Sequence, residues 1–153
     1  MTPNSFNEVS ILIVDDDDVD ATSIMRAFKK FRVINPILRA KNGAEAIEVL
    51  KSDKMHKPWI ILLDLNMPKM SGIEFLEAAR DDNYLANSVV FVLTTSESEK
   101  DISAAYEKNV AGYIVKSNLD KDFQALIDML NAYWKVIELP HEVGGLSANI
   151  AHR

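Results

Sequence analysis

The sequence predicts an α/β fold: one doubly wound domain with a five-stranded parallel sheet and helices on both faces. Three observations predict it. Four short apolar runs, rich in β-branched residues, fall at Val9–Val14, Trp59–Leu63, Ser88–Leu93 and Ala111–Val115. Their lack of polar alternation is how strands covered on both faces read. Segments with apolar residues at three- and four-residue steps separate them. The resulting β-α order, repeated five times with connections long enough for crossovers, makes the strands parallel.

The elements follow in order. After the first run, Asp15, Asp16, Asp17, Asp18 and Asp20 precede a helix carrying Ile24, Ala27, Phe28 and Phe31. Asp17, Asp18 and Asp20 read as first-turn acids favoured by the helix dipole, one of them as N-cap. Pro36–Ala40 is a weaker strand with a polar residue in it, suited to an edge, where Pro is tolerated at the start. Asn42-Gly43 breaks the chain, and Ala44, Ile47 and Leu50 follow on a helical face. Ser71-Gly-Ile-Glu74 has capping-box form ahead of Ile73, Leu76 and Ala79. Ser96-Glu-Ser-Glu99 repeats that form before Ile102, Ala105 and Tyr106. The last helix is expected from about Leu119 through Phe123, Leu126, Leu130, Trp134 and Ile137, with Pro140 as its stop. Residues 1–8 and 140–153 read as flexible ends around a single domain over 9–139.

Composition narrows the function classes. The 153 residues, 48% hydrophobic and 26% charged, suit one globular domain. Cysteine is absent, which excludes disulfides, thiolate metal sites and cysteine nucleophiles. No dense Lys/Arg block offers a nucleic-acid surface, and no apolar run or leader pattern suggests a membrane span or export, so a cytoplasmic protein is expected. Net charge is −6, from 17 basic and 23 acidic residues. Five of those acids lie within six positions, and without them the balance is 17 against 18. The acidity is local.

In open parallel sheets, sites form outside the carboxyl ends of the strands. The residues just after the runs are Asp15-Asp16, Asp64, Thr94 and Lys116. Three carboxylates on one rim repel each other, and a hard divalent cation such as Mg²⁺ relieves that repulsion. With Mg²⁺ and Lys116 neutralising charge, a phosphoryl group can approach an aspartate and be held as an acyl phosphate. Thr94 is then a hydrogen-bond donor to a phosphoryl oxygen.

Five separate blocks carry a resemblance. Ile11-Leu-Ile-Val-Asp-Asp16, Leu62-Leu-Asp-Leu-Asn-Met-Pro68, Ser71-Gly72, Val92-Leu-Thr-Thr95 and Gly112-Tyr-Ile-Val-Lys116 resemble the response-regulator receiver domains of two-component signalling. The likeness spans about residues 9–133, and it implies flavodoxin-like topology with strand order 2-1-3-4-5. By resemblance, Asp64 is the phosphoacceptor. Asp15 and Asp16 are the Mg²⁺-binding pair, and Asn66 supplies a backbone carbonyl to the metal. Thr94 is the switch hydroxyl, Lys116 the phosphate-binding lysine and Tyr113 the aromatic whose rotamer reports the switch. The implied partner is a sensor histidine kinase, and the implied protein a regulator rather than an enzyme.

Two features depart from the family pattern. Ser117 stands where a proline usually follows the lysine; a non-proline cis bond costs about 2.5–4 kcal/mol, so a trans Lys116–Ser117 bond is expected. Tyr133-Trp134-Lys-Val-Ile-Glu-Leu-Pro140 prolongs the last helix, resembling single-domain regulators paired with bacterial phytochromes. Trp134 and Ile137 there are expected to touch a second copy, so that a homodimer uses the face of helix four, strand five and helix five together with Tyr133–Leu139. With only a short tail after the domain, output is expected through protein contacts or onward phosphotransfer. Three rivals are weaker. A haloacid-dehalogenase-like phosphatase would want an aspartate at Asn66. A flavin binder would meet five aspartates where FMN needs a phosphate cradle. A degenerate receiver would not keep the full set of acids with Thr94 and Lys116.

Overall fold

Parallel strands need long crossovers, and the chain supplies a helix at each one. The computed structural model describes residues 9–142, so the ends expected to be loose at 1–8 and 143–153 lie outside the described residues. The order is β1 (Ser10–Val14), α1 (Asp18–Lys30), β2 (Ile37–Ala40), α2 (Gly43–Leu50), β3 (Trp59–Leu63), α3 (Gly72–Asp81), β4 (Val89–Thr94), α4 (Glu99–Glu107), β5 (Gly112–Val115), a 3-10 turn (Lys116–Asn118) and α5 (Gln124–Val136). The strands form one parallel sheet in the order β2-β1-β3-β4-β5. Successive side chains alternate between its faces. Ile11, Ile13, Ile60, Leu62, Phe91 and Leu93 pack with α1 and α5, through Ile24, Phe28, Leu126 and Leu130. Leu12, Val14, Ile61, Leu63, Val90 and Val92 pack on the other face with Leu50, Phe75 and Leu76.

The sheet brings the predicted rim together by register. Val14 lies opposite Leu63, and the Asp64 N–H continues the ladder onto the Val14 carbonyl at 2.9 Å. Asp15 and Asp64 therefore leave adjacent strands side by side, with Thr94 ending β4 on the far side of Asp64.

Helix starts divide the sequence reading. Ser71 and Glu74 form the expected reciprocal capping box. At α4 the frame moves by two: Ser98, not Ser96, is the N-cap and accepts from the Asp101 N–H. Ser96 instead donates its hydroxyl to Asp101 Oδ2 at 2.6 Å. The last helix begins later than expected, at Gln124. Asp120 accepts from the N–H groups of Gln124 and Ala125, and Phe123 takes a left-handed conformation with φ 57°. Local capping chemistry thus displaces the apolar periodicity of Leu119 and Phe123 as the start signal.

The prolonged end of α5 also corrects an expectation. Trp134 is buried in its own domain, as is Leu139, both in the layer with Val9 and Ile11. Tyr133 stands edge-on to Phe91, ring centres 5.1 Å apart. A 3.6-residue period turns Trp134 back to the sheet, while Val136 and Ile137 face outward. Where the chain leaves this layer, Tyr84 donates its hydroxyl to Glu142 Oε1 at 2.7 Å.

Candidate functional site

The five aspartates within six positions are engaged differently, though two of them share one cation. Asp15 is buried, with Oδ1 accepting from the Asp17 N–H and Oδ2 from Lys116 Nζ at 2.8 Å. Asp16 is exposed, and no hydrogen bond or ion pair engages its carboxylate among the described residues. Asp17 is the N-cap of α1, accepting from Val19 and Asp20. Asp18 pairs with Arg39 Nη1 at 2.7 Å. Asp20 turns inward to Lys116 Nζ, also at 2.7 Å. The reading of Asp17, Asp18 and Asp20 as helix-start acids therefore holds for position, but Asp20 belongs to the site by contact.

Asp64 sits at the centre. Its Oδ1 accepts the Thr94 hydroxyl at 2.7 Å and the Asn66 N–H at 3.3 Å. Its Oδ2 lies 3.9 Å from Lys116 Nζ, within ionic reach but beyond a hydrogen bond. Behind it, Gly72 lets α3 start against the backbone of Asp64. A Cβ there would stand 2.5 Å from the Asp64 carbonyl oxygen and 2.6 Å from Leu65 Cα, so backbone would have to move.

Carboxylate oxygens of Asp15, Asp16 and Asp64 all lie within 4.8 Å of one another. Three hard oxygen donors so placed fit a small divalent cation, with Asp16 and Asp64 Oδ2 free of hydrogen bonds. Asn66 is exposed beside them. Electrostatics point the same way. Burial pushes the Asp15 carboxyl above its ordinary value, with Lys116 and the Asp17 N–H pulling against it. Burial works against the charge on Lys116, but its bonds to Asp15 and Asp20 outweigh this and raise its value. The ammonium is thus locked in its charged form among the acids.

Tyr113 belongs to the far side. Its ring packs against the layer containing Val92 and Ala105, and its hydroxyl donates to the Ser96 carbonyl at 3.0 Å. The Thr94 and Tyr113 hydroxyls are thus both engaged, one on Asp64 and the other on the β4–α4 loop. The Lys116–Ser117 bond is trans, as expected.

Two residues escaped the sequence reading. Arg39 directs Nε and Nη2 onto the Asp15 carbonyl, at 3.1 and 2.8 Å, besides its bond to Asp18. It clamps the acidic loop against β2, and the signal was available: it is the polar residue in that edge strand. Asp20 is the other, and its partner lies 96 residues away, beyond any local pattern.

A five-stranded parallel sheet of this order, with an acid triad, a hydroxyl and an ammonium at one end, defines a receiver. The chain belongs to that family: residues 11–130 match the response regulator receiver domain. It is therefore a receiver-domain response regulator of two-component signalling, a family that binds Mg²⁺ or Mn²⁺ at an acidic cluster and is phosphorylated by histidine kinases. The response regulator Rcp1 of Synechocystis sp. is 31% identical over 135 residues, 85% of this chain and 92% of that protein. The crystal structure of its Mn²⁺-bound form aligns with a TM-score of 0.73, covering 86% of this chain and 99% of that one. The phosphorylated cyanobacterial phytochrome response regulator RcpA aligns at 0.75 with 30% identity, covering 87% and 99%.

Proposed function

We propose that Asp64 accepts a phosphoryl group from the phosphohistidine of a sensor histidine kinase, with Mg²⁺ held by Asp15, Asp16, Asp64 and the Asn66 carbonyl. One observation carries this reading: Asp64 presents one carboxylate oxygen with no hydrogen bond, between the other two acids of the triad and a largely buried ammonium 3.9 Å away. One carboxylate oxygen of Asp64 attacks phosphorus while the other is left for the metal, the P–N bond breaks, and the imidazole leaves with the electron pair. The chemistry a bound Mg²⁺ supplies is charge neutralisation at the phosphoryl oxygens. Lys116 answers the added negative charge from the other side. Thr94 transfers its hydroxyl bond from Asp64 Oδ1 to a phosphoryl oxygen, drawing the end of β4 toward the site. Tyr113, tied to Ser96 in the next loop, follows that movement, and the face of α4, β5 and α5 changes its affinity for a partner. The protein is a regulator by this reading, its chemistry confined to its own phosphorylation.

The likeness to a phytochrome response regulator supports a phytochrome-like kinase as donor. Incubation with acetyl phosphate and Mg²⁺, followed by intact mass, tests the acceptor. Wild type is expected to gain one phosphate, and Asp64→Asn none. An unlabelled wild type, or a labelled Asp64→Asn, defeats the reading. Release of phosphate from a phosphomonoester by the isolated protein would instead favour the phosphatase rival.

Self-association through the α4-β5-α5 face belongs to the same proposal, with Val136 and Ile137 as the apolar side chains that α5's end leaves exposed. Replacing both by Ser is expected to weaken association in sedimentation of the phosphorylated protein. Unchanged sedimentation removes them from the interface.

A further inference from the structure

Lys116 has three N–H donors, and two are committed to α1's side of the site. Its Nζ lies 2.8 Å from Asp15 Oδ2 and 2.7 Å from Asp20 Oδ2, against 3.9 Å from Asp64 Oδ2. The lysine side chain is 11% exposed, Asp15 3% and Asp20 34%. The ammonium is therefore held off the acceptor by a pair of carboxylates, the outer of which is partly open to water. Asp15 sits within the acid triad, whereas Asp20 lies outside it and has no other bond in the site. The shortest ionic contact Lys116 makes is thus to a carboxylate that the proposed phosphoryl chemistry does not use.

From this geometry we infer that Asp20 is a positioning residue that competes with the phosphoryl group for Lys116. The inference rests on the phosphoacceptor reading of Asp64. An aspartyl phosphate adds negative charge and acceptor oxygens at Asp64, where Lys116 reaches no hydrogen bond at present. To reach them Lys116 gives up a partner, and Asp20, the more exposed of the two, is the one whose release costs less because water takes its place. Asp20 thereby sets how readily the lysine neutralises the incoming phosphoryl group. The competition is confined to the acceptor side and asks nothing of Thr94 or Tyr113. It also gives the fifth acid of the cluster a task distinct from metal binding and helix capping.

The test measures the initial rate of labelling by sub-saturating acetyl phosphate in Mg²⁺, by intact mass. Asp20→Asn is expected to label roughly 2- to 5-fold faster than wild type, the range set by a partly exposed ion pair. Asp122→Asn removes the same charge from an exposed acid paired with Lys30, outside the site, and is expected to label at the wild-type rate. Asp20→Glu, which keeps the carboxylate, should return the rate toward wild type. In a Lys116→Gln background, Asp20→Asn should change nothing, since the partner it releases is gone. The inference is overturned by an Asp20→Asn rate equal to wild type, or by equal acceleration in Asp122→Asn. An Asp20→Glu as fast as Asp20→Asn, or acceleration that persists without Lys116, overturns it as well. Failure of wild type itself to label strikes the acceptor reading instead, so the two failures are told apart.

Discussion

Helices α1 and α4 both start beside the strand-end site and are seated in opposite ways. Both begin on a side-chain cap beside the strand ends, Asp17 for α1 and Ser98 for α4. Ala21, Ile24, Ala27 and Phe28 of α1 are buried against β1, β3 and α5, whereas α4 buries Ala105 alone. Burial of apolar surface is what holds a helix of this length, since its own hydrogen bonds barely do. The acid side of the site therefore rests on a fixed helix and the Tyr113–Ser96 side on a loosely held one. Under the proposed function that asymmetry is useful: the acids keep their spacing for a cation, while the α4 side shifts for a modest free energy.

The largest expected effect tests that contrast directly. Phe28 is fully buried and Tyr106 of α4 is 49% exposed. In urea unfolding, Phe28→Ala should cost about 3–5 kcal/mol, the range for a core aromatic. Tyr106→Ala should stay within about 0.5 kcal/mol, as surface changes do. A Tyr106→Ala cost approaching that of Phe28→Ala would show that α4 is anchored after all.

Much of this arrangement was legible in the sequence, for a reason the strands make plain. Val14, Leu63 and Leu93 close runs too apolar and too short to be anything but buried strands, so Asp15, Asp64 and Thr94 had to emerge at one edge. What stayed hidden was of two kinds, a local cap that overrides the apolar period and contacts outside any local window. The start of α5 was misplaced because Leu119 and Phe123 continue the apolar period, while Asp120 caps Gln124 and Ala125 and Phe123 turns left-handed. Trp134 was assigned to a second copy because its position past a minimal receiver helix suggested exposure; its phase on the helix returns it to the sheet. Asp20 was read only as a helix-start acid because adjacent aspartates look alike until each meets its cation, and Arg39 only as the polar residue of an edge strand.

A smaller effect sharpens the contrast between the two helices, and it concerns their caps. An N-cap lost to alanine typically costs about 1 kcal/mol. Where that cost is felt depends on what else holds the helix. Four buried side chains tie α1 to the core, so losing the Asp17 bonds to Val19 and Asp20 should lower global stability by about that amount. Asp17→Ala also removes one charge from a crowded cluster, so Asp17→Ser, which removes the charge and keeps a capping oxygen, is its reference. At α4, Ser98→Ala removes the bond to the Asp101 N–H from a helix tied by Ala105 alone. That helix can open while the sheet stays folded, so the urea midpoint should move less than in Asp17→Ala, and amide exchange within 99–107 should quicken by about 5-fold, the factor for 1 kcal/mol. Exchange within 18–30 should change in Asp17→Ala only as much as in β1 and β3. If Ser98→Ala instead slows nothing and quickens nothing in 99–107 while shifting the global midpoint, α4 unfolds only with the whole domain, and the two helices are seated alike.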